Sequence, residues 1–378
     1  MDFSLTQEQK MLQTTVQDFA TRKLEPVAAQ LDAAQEWPMD NFRIMAELGL
    51  TGLTIPSEYG GSGGNTVSLV LALEEIAKAC ASTCDILIVH VSSCAKTIYN
   101  YGTEEQKQRF VTPLAKGEKI GAFAVTESEA GSDIGSIQTT AVKDGDTYIL
   151  NGSKIFIASG NVCDTVVVFA AIKALGTRGM TAFVLEKGTP GFSLGKKYDK
   201  VGMRAATNAE LIFEDCRVPA ANRLGDEGQG MRICIATLDE GRICVAAQAV
   251  GIARSALERA ASYAKQRVQF GRPIAENQAI QWMLADMATQ IDAARLLTYR
   301  AASLHDGGTR VSRESAMAKL YASEVCMQAT IKGVQIFGGY GYMMDSPMQR
   351  YFRDAKLTEI YEGTSEVQRM VISRAILS

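Results

Sequence analysis

Near the C-terminus, Ile360-Tyr361-Glu362-Gly363-Thr364-Ser365-Glu366 sets a carboxylate between a phenol and a glycine. Glycine lets a backbone turn and approach a bound molecule closely, so the neighbouring carboxylate can be carried to a ligand. A general base that removes a weakly acidic carbon-bound proton needs that placement. The segment lies beyond a glycine-rich stretch, Phe337 to Tyr342, and the dipeptide Arg353-Asp354. The 378 residues hold only two histidines, His90 and His305. His305 precedes Asp306-Gly307-Gly308 in a polar turn, which leaves His90 as the one candidate imidazole base and otherwise gives acid–base work to carboxylates. The eight cysteines form no Cys-x-x-Cys pair and read as reduced core thiols, so no metal site is expected.

The elements that must position these groups fall into three regions. Residues 1–121 show apolar residues at helical spacing, with Thr6/Gln9 and Thr103/Gln106 as capping boxes. The glycine run at 60–64 has no Gly-x-Gly-x-x-Gly spacing and is a loop. In residues 122–227 the period changes to two. Asp144-Gly145 and Asn151-Gly152 are hairpin-turn dipeptides, and they predict a meander of strands at 139–142, 147–150 and 154–157. Further strands are expected at 165–170, 181–185 and 209–213, in an antiparallel, barrel-like domain. Residues 228–378 return to helices, at 231–266, 275–304, 311–338 and 364–376. Small residues such as Ala246, Ala247, Ala249, Gly251 and Ala253 suit a close-packed four-helix bundle. The fold class is therefore α+β and multidomain.

Composition narrows the function classes. A net charge of −3 gives no basic excess for nucleic acid, and no window approaches the run of about 20 apolar residues that a membrane span needs. No signal peptide is recognised before the first helix, so the expected location is the cytoplasm of a bacterium or, for a processed eukaryotic chain, the mitochondrial matrix. The absence of a dinucleotide fingerprint argues against direct use of a nicotinamide.

Two further segments extend the pattern: Ala124-Val125-Thr126-Glu127-Ser128-Glu129-Ala130-Gly131-Ser132-Asp133 and Gln335-Ile336-Phe337-Gly338-Gly339-Tyr340-Gly341-Tyr342. With the Glu362 segment, in this order on an α–β–α chain, they resemble the acyl-CoA dehydrogenase family. Leu238-Asp239-Glu240-Gly241-Arg242 and Val245 to Ala253 are most similar to its short-chain, butyryl-CoA dehydrogenase-like branch. The resemblance implies an FAD-dependent enzyme of fatty acid metabolism that converts an acyl-CoA to its trans-2-enoyl-CoA, or the reverse. Glu362 would be the α-proton base, flavin N5 the hydride acceptor, electron-transferring flavoprotein the redox partner, and a homotetramer the assembly. Members that carry the base on the preceding helix do so where this chain has Gly241, which has no side chain.

The same resemblance assigns FAD contacts to Thr126, Ser132, Phe156, Ala158, Ser159, Arg267, Phe270, Gln278, Gln335, Gly339, Thr364 and Glu366. Ala158 stands where a threonine or serine is usual, so Ser159 or a backbone N–H is the expected substitute near the flavin. It assigns Ser132, His90, Asp239, Arg242, Gln248, Tyr361 and Gly363 to the substrate, with Gln248 closing the bottom of a short acyl cavity. His90 reads first as a core histidine; with Thr83, Cys84 and Ser92 nearby it also leaves room for a polar or aromatic acyl group. Aryl- or branched-chain acyl-CoA dehydrogenation or enoyl-CoA reduction, a flavin oxidase or monooxygenase, and a non-catalytic CoA-ester-binding protein are the competing functions.

Overall fold

The computed structural model describes residues 4–377. The first helix, α1 (Gln7–Phe19), starts at a reciprocal cap: Gln9 N–H donates to the Thr6 hydroxyl and Thr6 N–H to the Gln9 side chain. Thr103 and Gln106 repeat the device. Two helices, α2 (Thr66–Ala79) and α3 (Ala81–Ile88), are buried on almost every side, and their sequences are correspondingly apolar. A wide π-helical stretch, Val89–Ala95, follows and carries His90.

Eight strands form the middle region: β1 (Gly121–Ala124), β2 (Thr140–Asp144), β3 (Thr147–Ala158), β4 (Thr165–Ala171), β5 (Met180–Glu186), β6 (Phe192–Tyr198), β7 (Asn208–Pro219) and β8 (Arg223–Leu224). Asp144-Gly145 turns the β2–β3 hairpin as expected. Asn151-Gly152 does not turn the chain. β3 runs straight through it, paired along its length with β7 and bulged between Leu150 and Gly152. A Cβ on Gly152 would lie 2.6 Å from the Thr139 hydroxyl, so glycine serves strand contact there, and the Asn151 amide is spent on Asp215. The sheet is also mixed rather than antiparallel: β1 lies parallel to β4 over Gly121–Ala124, and β2 meets β4 in parallel at Thr140 and Ala171. Hairpins dictate direction only between strands that they join, and β1 and β4 are joined by a whole hairpin instead. The strand order β6-β7-β3-β2-β4-β5-β8, with β1 beside β4, is an open path, barrel-like without closing. Lysine-rich β6 escaped the alternation pattern.

The C-terminal bundle comprises α4 (Gly230–Gln266), α5 (Gln278–Asp306), α6 (Ser312–Phe337) and α8 (Ser365–Leu377), with a shorter α7 (Pro347–Thr358) between the last two. The Ser346 cap and Pro347 in the first turn start α7, which the apolar spacing did not reveal. Gly338, at φ 61, ends α6. Charge joins the regions. Glu74 of α2, 1% exposed, takes Arg254 of α4, Arg295 of α5 and the Tyr299 hydroxyl. Arg353 and Asp354 are not paired with each other. Arg353 forks onto Asp32 at 3.2 and 2.6 Å, while the buried Asp354 accepts from Met203 N–H.

α2 and α4 meet at Gly251, where an added Cβ would stand 2.4 Å from the Glu74 carbonyl oxygen and 2.7 Å from Ala77 Cβ. Gly251→Ala should therefore destabilise the fold by roughly 1–3 kcal/mol although alanine is the better helix former. A lowered urea midpoint with unchanged helical circular dichroism is the expected result; an unchanged midpoint would show that the two helices part without cost.

Candidate functional site

The loop between α7 and α8 puts Glu362 at φ 54 and Gly363 at φ 90. A left-handed non-glycine residue costs about 1–3 kcal/mol and persists only where its surroundings impose it. Here Gln368 Nε2 donates to the carbonyls of Glu362 (3.1 Å) and Gly363 (2.8 Å), and Lys319 Nζ from α6 donates to Gly363 O at 2.7 Å. The carboxylate lies against Gly241 of α4: a Cβ at 241 would be 2.6 Å from Glu362 Oε2. That oxygen is buried and has no hydrogen-bond partner among the described residues.

Burial drives the Glu362 carboxyl up to about 7, against the pull of Arg242 and Lys319, and Asp85 adds to the rise. The two cations temper the carboxylate without pairing to it. Arg242 is tied to Asp239 at 2.6 Å, whose other oxygen accepts from Ser312, and Lys319 is engaged by the Gly363 carbonyl. Burial also lowers the Lys319 ammonium to about 8, with Glu362 opposing. The result is a carboxyl poised near neutrality with one oxygen free.

Behind Glu362, the Tyr361 hydroxyl donates to Gln248 Oε1, and Gln248 Nε2 donates to the Ala81 carbonyl of α3 at 2.9 Å. Gln248 is fully buried, so the phenol and amide together plug the space between α3 and α4. His90 does not join this group. Its Nδ1 accepts from Gly121 N–H at 3.0 Å and its Nε2 lies 2.9 Å from the Leu114 carbonyl, which fixes the tautomer with Nε2 as donor. Burial drives its pKa down to about 4. With no surface exposed and both nitrogens used by backbone, His90 is a core histidine, and the expectation that it meets substrate is corrected.

The loop after β1 is organised by a pair that sequence reasoning missed. Lys154 of β3, 0% exposed, donates to Glu127 Oε1 (2.7 Å) and the Val125 carbonyl (2.8 Å), while Glu127 also accepts from Gln138 and Thr139 N–H. Burial lowers the Lys154 ammonium to about 8; burial alone would raise Glu127, but Lys154 and the hydrogen bonds hold it below its ordinary range. Thr126 is half-buried beside this pair, and Ser132 is exposed at the loop tip. At the end of β3, Phe156 (φ 59) is 56% exposed against the Tyr198 ring, Ala158 is half-buried, and Ser159 (φ 58) turns inward. Ser159 is 1% exposed and its Oγ accepts from Trp37 Nε1 at 3.0 Å, which ties the end of β3 to the N-terminal region.

A second cluster lies at the far end of α4. Arg267 stacks its guanidinium over Tyr340 at 5.4 Å beside a groove of about 520 Å³ whose walls include Phe337, Gly339 and Tyr340. Arg267 has no ion-pair partner among the described residues, and neighbouring Phe270 (φ 52) stands fully in solvent. Gln335 and Gln278 are exposed on α6 and at the start of α5. Thr364 caps α8 by accepting from Val367 N–H, with Glu366 exposed in its first turn. Lys319, Gln368, Asp85 and Trp37 were not singled out from sequence; the only signal for Lys319 is a lone charge in the small-residue face of α6.

Three family models match the chain in order: Acyl-CoA dehydrogenase, N-terminal domain (residues 6–118), middle domain (residues 122–216) and C-terminal domain (residues 228–377). The chain is 50% identical, over 100% of both chains, to "Acyl-CoA dehydrogenase, short-chain specific" of Clostridium acetobutylicum. Its structure is similar to that of butyryl-CoA dehydrogenase from Megasphaera elsdenii, with TM-score 0.98, 48% identity and 100% of both chains covered. It is equally similar to a chain in a structure described as the electron transferring flavoprotein of Acidaminococcus fermentans, with TM-score 0.98, 52% identity and 100% of both chains covered.

The raised Glu362 carboxyl has a measurable sign. Its folded value of about 7 exceeds the ordinary 4.5, so between those values the folded chain holds a proton that the unfolded chain has lost, and stability falls as pH rises through that window. Glu362→Gln should remove up to about 3 kcal/mol of this fall. Urea midpoints at pH 5 and pH 8 should differ more for the wild type than for the variant; equal differences would show that Glu362 titrates normally.

Proposed function

The chain belongs to the acyl-CoA dehydrogenase family, and from that premise we propose that it interconverts a short-chain acyl-CoA and its trans-2-enoyl-CoA, with Glu362 as the base. The observation that carries this reading is the Glu362 carboxyl itself: half-buried, raised to about 7, and seated on Gly241 with Oε2 sealed and without a partner among the described residues. FAD is the cofactor, and when bound it supplies the acceptor for the β-hydrogen and its electron pair. The residues present fit such a group. An unpaired arginine beside a glycine-lined groove suits a pyrophosphate, and the fully exposed Phe270 suits an adenine or a second subunit. Thr126 and the exposed Phe156 lie on the β-domain side, where the ring system would rest. Electrons leave to electron-transferring flavoprotein.

The chain's own contribution follows from its charges and shapes. A carboxylate is a far weaker base than the carbanion it must generate, so the thioester carbonyl has to be polarised as the α-proton leaves. We assign that task to the Glu362 N–H, held in place by the bonds of Gln368 and Lys319 to the adjoining carbonyls. Substrate entering the seat removes the remaining water and raises the base further toward the α-carbon. The proton passes to Glu362 Oε2. Arg242 and Lys319 limit the rise and so favour the ionised form that must take the proton. The Tyr361–Gln248 plug stops the acyl chain after a few carbons. Assembly as a homotetramer, residence in the bacterial cytoplasm or mitochondrial matrix, and roles in FAD binding for Gln278, Gln335, Thr364 and Glu366 belong to the same proposal.

Two variants test it by anaerobic bleaching of the bound flavin with butyryl-CoA. Glu362→Gln should slow bleaching roughly a hundredfold to ten-thousandfold while ligand still binds; wild-type rates would remove Glu362 from the mechanism. Gly241→Ala should separate stability from activity. It improves the helix by about 1 kcal/mol but sets a methyl 2.6 Å from Oε2, so bleaching should slow at least tenfold without a fall in melting temperature. Unimpaired bleaching would show that the carboxylate does not work from this seat.

A further inference from the structure

The plug behind Glu362 is not wholly apolar. Asp85, 2% exposed on α3, has a carboxyl oxygen, Oδ1, that is buried and finds no hydrogen-bond partner among the described residues. Its place follows from helix geometry. The Ala81 carbonyl points along α3 toward residue 85, one turn on, and that carbonyl receives the Gln248 amide whose oxygen takes the Tyr361 hydroxyl. Asp85 therefore lies one helical turn from the carbonyl that anchors the Tyr361–Gln248 pair, and its charge is felt by both Tyr361 and Glu362. Lys200, the cation whose charge acts on Asp85, directs its ammonium to the Ala206 carbonyl (2.6 Å) and Asn208 Oδ1 (2.7 Å). Burial leaves the Asp85 carboxyl raised to about 6 despite Lys200.

A buried acceptor without a partner costs free energy that an apolar residue would avoid, so a group that supplies a donor there is favoured over one that does not. Resting on the reading of Glu362 as the base of an acyl-CoA site, we propose that Asp85 is a specificity-determining residue. It selects an acyl group that carries a hydrogen-bond donor, a hydroxyl or an ammonium, at the end remote from the thioester. The α-carbon stays at Glu362, the tail ends at the Tyr361–Gln248 plug, and its donor reaches Asp85 Oδ1 there. A hydrocarbon tail leaves that oxygen unmatched.

The test compares butyryl-, 4-hydroxybutyryl- and 4-aminobutyryl-CoA on the FAD-loaded protein, with dissociation constants by calorimetry and flavin bleaching in parallel. At least one donor-bearing thioester should bind roughly tenfold or more tighter than butyryl-CoA. Asp85→Val should reverse that order without lowering the melting temperature, because it removes an unmatched carboxylate. Asp85→Asn should abolish a preference for ammonium and spare most of one for hydroxyl, which separates the two donors. Butyryl-CoA binding at least as tightly as both, with a ratio unmoved by Asp85→Val, would overturn the role of Asp85 while bleaching by butyryl-CoA kept the dehydrogenation intact. A melting temperature lowered by Asp85→Val would also overturn it, since Asp85 would then hold structure. The expected binding order without bleaching by any thioester would support Asp85 as tail selector and overturn the reaction.

Discussion

A carboxylate with one oxygen sealed from water and left without a partner among the described residues is the constraint from which the rest of this structure can be read. A buried acid ordinarily captures a cation or a donor, and either would lower its basicity. Glu362 avoids both because its neighbours are engaged elsewhere: Arg242 by Asp239, Lys319 by the Gly363 carbonyl and Gln368 by two carbonyls. The cations sit near enough to bias the acid without pairing to it. The strained backbone at residue 362 is supported by the same Gln368 and Lys319 bonds.

Keeping that seat dry requires elements from the whole chain. α3 and α4 close it from behind through Ala81, Gln248 and Tyr361. The N-terminal region reaches the β-domain through Trp37 and Ser159, and the bundle through Asp32 and Arg353. The Glu127–Lys154 pair fixes the loop after β1. Most of these ties are charged or polar and lie inside. Such pairs give little net stability but punish any other register, because breaking one strands its partner.

Local chemistry was the legible part of the sequence. Both capping boxes formed where Thr6 and Thr103 placed them, the Asp144-Gly145 hairpin turned, and Gly338 ended its helix. The Glu362 loop was legible because its motif is compact. What failed depended on distant partners. Asn151-Gly152 has the composition of a turn, yet β7 pairs across it, and no local signal reports a strand arriving from some sixty residues away. Parallel β1–β4 pairing hides for the same reason. Lys154 and Lys319 look like surface lysines in one dimension; only the fold removes their water. His90 could be read both as core and as substrate contact, because its neighbours in sequence are not its partners, which are the backbones of Leu114 and Gly121.

Gly241 has a consequence of its own. The oxygen of Glu362 occupies the space that a side chain at 241 would fill, so one point in the molecule can be reached from two places in the chain, a helix and a loop. The chemistry is thus attached to a location and not to a residue number. Lineages built on this scaffold could trade the base between the two addresses, and a comparison that tracked only the loop would pronounce the others inert.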